Sequence, residues 1–538
     1  MKLTLKHRLL LATLSGILLA LSFPSVGGLG PISFVALVPI LLLEEDLFQN
    51  KERSYKIYLY ALWTFFLYNL ITVWWIWFAS EGGAVMAVVA NAIVMILPVA
   101  AFHVTKKFVG VKEGYIGLFF YWLGFEYMHY HWELSWPWLN FGNMFANYHP
   151  LVQWYSYSGV LGGTMWILLV NMLFYLIAKN IWFKKESWNV QTPLLVLQAM
   201  MLLIPISSSL FMYYNYEDKG EELNVLIIQP NIDPYEKFTT IGPDEQIQKI
   251  IGLAEQNMDK NIDLIIAPET ALPMSINEKG MEKNRFVIQL IEKLEEWNGP
   301  DLLIGSSTHK FFDHKNSYAS RDMGKGIWLE AYNSAVLISR NKPIQIYHKS
   351  QLVLGVERLP FPALFEGMAI DMGGTTGTLG TEEKPFCLKS KGVSITPCIC
   401  YESVYGGYVA EFSRLKSDFI AIITNDGWWK DTPGYKQHQS FARLRAIENR
   451  KYIARSANTG ISALINGRGD VLEKTGWWED AVIKGTIKLN SEETFYVQYG
   501  DIIGRVSGFT AILILVFALF KWLRSFGGVF KKEPTKEA

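Results

Sequence analysis

Eight long apolar runs constrain this chain more than any other feature. They fall at residues 9–23, 29–43, 57–78, 84–104, 115–125, 160–178, 194–213 and 509–523. A helix that crosses a bilayer needs ~20 mostly apolar residues, with ~17 near the lower limit. Several runs meet that length. The second and fifth are short, and the fifth must continue past Glu126 into the aromatic stretch behind it. Lys2, Lys6 and Arg8 precede the first run, as they would in a signal peptide. Phe23-Pro24-Ser25 offers no small-residue cleavage site, so the run reads as an uncleaved helix.

Cytoplasmic loops of membrane proteins collect Lys and Arg. The loops after the second, fourth and sixth runs carry Lys51, Arg53 and Lys56, then Lys106, Lys107 and Lys112, then Lys179, Lys184 and Lys185. The C-terminal end adds Lys521, Arg524, Lys531 and Lys532, while the alternate loops 24–30, 79–83 and 129–158 contain neither residue. Eight spans with both termini in the cytoplasm satisfy every loop. The expected organisation is a seven-helix membrane domain over 1–214, an extracytoplasmic domain over 215–508, and an eighth helix with a cytoplasmic tail over 509–538.

The 50 basic and 50 acidic residues cancel, which leaves no basic excess of the kind a nucleic-acid binder needs. The spans read as lacking the charge pairs expected of a coupled transporter. Cys387, Cys398 and Cys400 are the three cysteines, an odd number, so at least one thiol is free. His129 and His131 have no third ligand at a sensible spacing, and no metal site is expected. The stretch 129–158 is rich in Trp and Tyr. It reads as an interfacial aromatic belt and, compatibly, as a wall of a lipid-binding cleft beneath the outer domain.

From about Leu223 the pattern changes. Strand candidates are 224–229, 263–267, 302–306, 335–338, 344–347, 393–398, 419–424 and 462–465; helix candidates are 243–259, 283–297 and 435–450. This alternation predicts an α/β layered domain. Near-continuous apolar strands predict sheets covered on both faces. Three strands each end in a reactive residue: Glu269 after 264–268, Lys349 after 344–348 and Cys400 after 394–399. Sites in such sheets form beyond the strand carboxyl ends. Singly, such a carboxylate is usually a cap, the lysine solvated, and the cysteine an inert core residue. Three built on one design make a nucleophilic set.

Pro268-Glu269, Tyr347-His348-Lys349 and Cys400-Tyr401-Glu402 resemble the Glu–Lys–Cys motifs of the nitrilase superfamily. With eight spans around them, nearly the whole chain resembles the membrane-bound branch of that superfamily, the apolipoprotein N-acyltransferase family. The segments 136–143, 153–159, 425–429 and 455–460 also fit. The resemblance implies an αββα sandwich, with Glu269 as general base, Lys349 as oxyanion stabiliser and Cys400 as nucleophile. Glu357 matches an auxiliary acid, and Tyr401 and Glu402 match the residues flanking the nucleophile. Phe238, where the family often shows Trp, is expected to contact substrate, as are Trp138, Trp428 and Trp429. The segment 354–360 departs from the family by being poorer in Gly and Phe. The implied reaction moves a fatty acyl chain from a phospholipid, through a cysteine thioester, to the N-terminal amine of an apolipoprotein's diacylglyceryl-cysteine, without cofactor. The implied setting is a monomer in a bacterial inner membrane with the catalytic domain periplasmic. Apolar loops at 352–359 and 361–368 are expected to shield the thioester from water. Cys398, two residues back on an extended strand, is expected to face the same way as Cys400; the motif favours Cys400. Cys387 lies outside the motifs and is expected to be structural. A membrane-tethered amidase or nitrilase is the rival reading.

Overall fold

The computed structural model describes residues 2–237, 239–361 and 378–527. Every apolar run becomes helical. The membrane part comprises α1 (Leu5–Ser22), α2 (Val38–Gln49), α3 (Tyr55–Phe78), α4 (Glu81–Phe108), α5 (Val111–Met128), α6 (Tyr155–Trp182) and α7 (Trp188–Tyr214). Among the described residues, six helices are long and apolar enough to cross a membrane: α1, α3, α4, α6, α7 and the final helix, Ile502–Gly527. The second run breaks into a 3-10 turn, Gly30–Val35, and the 12-residue α2, which has Pro39 in its first turn. At 1.5 Å per residue α2 reaches roughly 18 Å, too short to span alone. The fifth run continues past Glu126 to Met128. The final helix begins seven residues before the boundary set at 509.

Buried ion pairs gather at the ends of the apolar runs. Arg8, Glu44, Glu45, Asp46, His103 and Lys106 are all buried, at one end of the bundle. Arg8 pairs with Asp46 (2.7 Å), Lys106 and Lys179 with Glu45 (2.7 and 2.9 Å), and His103 with Glu44 (2.8 Å). The paired residues lie 38–134 residues apart in sequence, so no local pattern announces the pairing.

The α/β part holds two sheets. The first contains β1 (Glu222–Gln229), β2 (Leu264–Ile266), β3 (Leu272–Asn277), β4 (Asp301–Phe312), β5 (Arg321–Asp322), β6 (Trp328–Ile338), β7 (Gln345–His348) and β14 (Ala481–Lys488). Its order is β14-β1-β2-β4-β6-β5, with β3 also beside β4 and β7 beside β6. The second contains β8 (Leu388–Ser390), β9 (Val393–Ile399), β10 (Phe419–Thr424), β11 (Ile453–Ala457), β12 (Ala463–Ile465) and β13 (Val471–Lys474), in order β13-β12-β11-β10-β9-β8. Side-chain alternation assigns the faces. Val225 and Ile227 of β1 meet Ile395, Ala421 and Ile423 of the second sheet between the two layers. Leu226 and Ile228 point the other way, onto α8 (Pro243–Asn257) and α9 (Arg285–Glu296). In α9, Phe286, Val287, Leu290 and Leu294 form one buried helical stripe, and the Asn284 side chain caps its start. The outer face of the second sheet is covered by α10 (Gly406–Arg414) and α11 (Pro433–Asn449). The layers are therefore helix, sheet, sheet, helix.

α11 is buried on both sides. Ala442 and Ala446 pack on the second sheet, while Phe441, Leu444 and Ile447 belong to the core of the membrane helices. Trp138 Nε1 donates to Gln437 (2.8 Å), and Gln437 donates to the Thr72 carbonyl (3.2 Å). The aromatic stretch 129–158 is thus largely core: Trp138, Phe141 and Phe145 are buried where the two halves join.

Candidate active site

Three strand ends converge on one place, two from the first sheet and one from the second. Glu269 follows β2. Its turn lies so close to β4 that a Cβ on Gly305 would come within 2.5 Å of the Glu269 Cα, so glycine is required there. Lys349 follows β7 and is 1% exposed; its N–H donates to the Asn333 carbonyl of β6 (2.8 Å). Cys400 follows β9 and starts a 3-10 turn, Cys400–Val404, with φ +52°. Left-handed backbone at a non-glycine residue is strained and marks functional turns. The turn also separates the two thiols. Cys398 faces the outer helix layer and Cys400 the sandwich interior, contrary to the common direction expected of an unbroken strand.

Lys349 Nζ lies 2.9 Å from Glu357 Oε1 and 3.3 Å from Glu269 Oε1. Asn333 Nδ2 donates to the same two oxygens, at 2.7 Å to Glu269 and 3.0 Å to Glu357. Burial works against the Lys349 charge, but Glu357 and Glu269 outweigh it and hold the ammonium well above its ordinary range. Burial pushes the Cys400 thiol up, Glu269 adds to this, and Lys349 only partly offsets it. Cys400 thus rests as a thiol. One ammonium faces two carboxylates.

Glu402 explains the residue two places on. It is fully buried and accepts hydrogen bonds from Tyr347 Oη (2.7 Å), Ser350 N (2.7 Å) and Ile399 N (2.8 Å). One carboxylate thereby ties the loop after Lys349 to the strand before Cys400. Burial pushes it up to about 7, against the pull of those donors. Behind the turn, His438 is bonded to Asp426 (2.9 Å) and places Nε2 3.1 Å from the Cys400 carbonyl oxygen.

Cys400 opens onto an apolar cavity with about 900 Å³ of empty space, part of it continuous with the outside. Its far walls belong to the membrane part: Trp75 of α3, Gly83, Met86 and Ala90 of α4, and the loop bearing Trp136 and Trp138. Val353, Leu354 and Val356 close the other side. Tyr401 lines the cavity and stacks on Trp136 and Trp138, with ring centroids 6.1 and 6.4 Å away. Trp429 also lines it. Trp428 does not; it packs on Tyr235, whose hydroxyl donates to its carbonyl. Phe238 and residues 362–368 lie outside the described residues. Sequence reasoning missed Asn333, whose signal is a polar residue inside the apolar run of β6. It also missed Lys237, a buried lysine that donates to Thr270 Oγ1 (2.9 Å) beside Glu269.

A buried cysteine with a Glu–Lys partner pair, set between two sheets in an αββα sandwich, defines a nitrilase-type enzyme domain. Residues 226–495 match the carbon-nitrogen hydrolase family model, and residues 15–173 match the model of the apolipoprotein N-acyltransferase N-terminal domain. An apolipoprotein N-acyltransferase of Chlorobaculum tepidum is 31% identical, over 95% of this chain and 96% of its own. Relatives of the same name from Geobacter metallireducens (26%; 94% and 95%) and Aquifex aeolicus (27%; 64% and 70%) are also similar. The chain belongs to the apolipoprotein N-acyltransferase family and is a multi-pass membrane protein.

Proposed function

We propose that the protein transfers a fatty acyl chain from a phospholipid to the N-terminal amine of a diacylglyceryl-cysteine, with Cys400, Glu269 and Lys349 as its catalytic set. The observation that carries this is Cys400 at the mouth of an apolar cavity whose far wall is made of membrane helices. Glu269 takes the thiol proton as sulfur attacks an ester carbonyl of the phospholipid. Lys349 stabilises the oxyanion; one such donor is worth ~3 kcal/mol. The C–O bond breaks, the proton passes from Glu269 to the departing lysophospholipid, and a thioester remains. The amine of the acceptor then attacks the thioester, Glu269 receives its proton, and the thiol leaves reprotonated. An ester is exchanged for an amide and nothing is oxidised. Glu357 and Asn333 position Lys349 and Glu269, and Glu402 positions the loop and strand that carry Lys349 and Cys400.

The Lys/Arg asymmetry of the loops supports both termini in the cytoplasm, with residues 215–508 periplasmic at a bacterial inner membrane. Trp138, Tyr401 and Trp429 contact the acyl chains. A membrane-tethered amidase would use the same three residues, but it would have no need for a cavity open to membrane helices. The test is mass spectrometry of the protein incubated with phospholipid and no acceptor. One fatty-acyl mass on the Cys400 peptide is expected, absent in Cys400→Ala and discharged by a diacylglyceryl-cysteine peptide. Free fatty acid or ammonia from trial substrates without any adduct would favour the amidase.

A further inference from the structure

Trp136 and His129 have a second side. Behind them a small side cavity adjoins the acyl cleft. The two share Asn91, His129 and Trp136, while Glu126 and Asn140 line only the side cavity. Three side-chain atoms of these walls are buried without a hydrogen-bond partner: Trp136 Nε1, Asn140 Nδ2 and Asn91 Oδ1. His129, Asn140 and Asn91 are only 4%, 3% and 8% exposed. Two of the other polar atoms are already engaged. Asn91 Nδ2 donates to Asn69 Oδ1 (2.8 Å), and His129 Nδ1 accepts from Trp132 Nε1 (3.3 Å). Leaving buried polar groups unpaired is costly. Three of them around one small space, open to a lipid-sized cleft, mark a place where a ligand can meet the two donors, Trp136 Nε1 and Asn140 Nδ2.

The chemistry of the ligand follows from the atoms. The indole and carboxamide N–H groups of Trp136 and Asn140 can only donate, so the ligand brings an acceptor oxygen. Among the described residues, neither cavity is lined by Lys or Arg. Glu126 does line the side cavity, its oxygens already bonded to Trp122 Nε1 (3.0 Å), Phe141 N (2.9 Å) and Thr164 Oγ1 (2.6 Å). A phosphate would therefore enter beside a carboxylate with no cation to meet it, which is unfavourable in an apolar surround. A neutral carbonyl between apolar chains fits. We infer that the side cavity holds the non-reacting ester carbonyl of a glycerolipid, with Trp136 and Asn140 donating to it. The lipid's other ester is thereby directed toward Cys400 if the lipid is the acyl donor, or its amine if it is the acceptor. This inference rests on the proposed acyl transfer for its choice of lipid. It adds a fixed register: the cleft accepts chains by apolarity, and this subsite counts glyceryl oxygens.

An ether-linked lipid keeps the chain and loses the carbonyl, so it isolates the effect. Full-length Cys400→Ala protein is offered an equal mixture of a diester phospholipid and its mono-ether analogue, and the bound fraction is read by native mass spectrometry. A second arm uses diester and diether forms of a diacylglyceryl-cysteine peptide. One lost hydrogen bond corresponds to a preference of roughly five- to tenfold for the ester form. That preference is expected in one arm, which assigns the subsite to donor or acceptor. It falls to parity when Trp136→Phe or Asn140→Leu is added. Trp136→Phe keeps the ring and alone decides the matter if Asn140→Leu does not fold. Parity in both arms of the Cys400→Ala protein would overturn the inference and leave the cavity to a water molecule, as would a preference that survives both substitutions. The readout needs no turnover, so a missing acyl adduct on Cys400 would sink the acyl-transfer reading without deciding this one.

Discussion

At the scale of single residues, the resting protonation of Cys400 governs the chemistry. Burial and Glu269 hold the thiol up, so in the proposed mechanism the nucleophile is made only as Glu269 takes its proton. Alkylation of Cys400 followed against pH is expected to show no inflection below pH ~9, near or above the unperturbed thiol. An inflection near neutrality would mean a standing thiolate. Glu269→Gln is expected to slow Cys400 acylation by at least ~100-fold, the usual scale of general-base assistance, in single-turnover mass measurements. Glu402 is a different case, because its role is structural and its cost depends on pH. Its folded-state value of about 7 lies above the ordinary carboxyl range. The folded protein therefore binds more protons between pH ~4.5 and ~7, and stability falls as pH rises through that window. Glu402→Gln is expected to remove that part of the slope in thermal unfolding curves, while lowering the acid-side melting temperature through the lost hydrogen bond to Ile399 N. An unchanged slope would show that the carboxyl titrates normally.

At the scale of elements, the wall of α4 sets how much chain the cleft takes. Gly83, Met86 and Ala90 face it, and a π turn, Met86–Ala90, locally widens the helix there. Ala90→Phe is expected to shift the acyl chains found on Cys400 toward shorter ones by a few methylenes, each worth about 0.8 kcal/mol of burial. An unchanged chain profile would place the chain elsewhere. This scale also shows what the sequence discloses and what it hides. Strands that are apolar throughout were readable, and so were α8, α9 and α11, which begin at proline or asparagine signals and keep a helical stripe or length. β11 was not, because its centre carries Arg455 and Ser456. Arg455 is tolerated in a buried strand only because Asp426 pairs with it, a partner that sequence spacing does not reveal. β14 was missed because its alternation belongs to an edge strand with one wet face. The Glu269–Lys349–Cys400 set was legible from its motifs. Asn333 and the three unpaired atoms around Trp136 were not, since each becomes meaningful only when distant segments meet.

At the scale of the whole molecule, the buried ion pairs at one end of the bundle are an expensive arrangement that holds together only when every partner is present. Lys106→Met leaves Glu44 and Glu45 short of a cation, and a loss of ~3–5 kcal/mol is expected, read as a lower melting temperature in detergent. Cys400 acylation by the surviving folded fraction is expected to continue at its normal rate. The same end carries the basic loops, so topology can be checked on intact cells. Cysteine placed at Lys51 is expected to be shielded from an impermeant thiol reagent, and cysteine placed at Lys325, exposed in the α/β part, is expected to react. The opposite result would invert the proposed orientation.

α11 has no outside. A helix whose two flanks serve two different solvents' worth of structure acts as a shared party wall rather than a border, and no cut on either side of it leaves a finished surface. The nitrilase-type half cannot be lifted away as a free-standing soluble enzyme: Phe441, Leu444 and Ile447 would be left bare, and Trp138 would lose the glutamine that holds its ring against the cleft. Any lineage that freed this catalytic half from the bilayer would have had to repaint that one helix first.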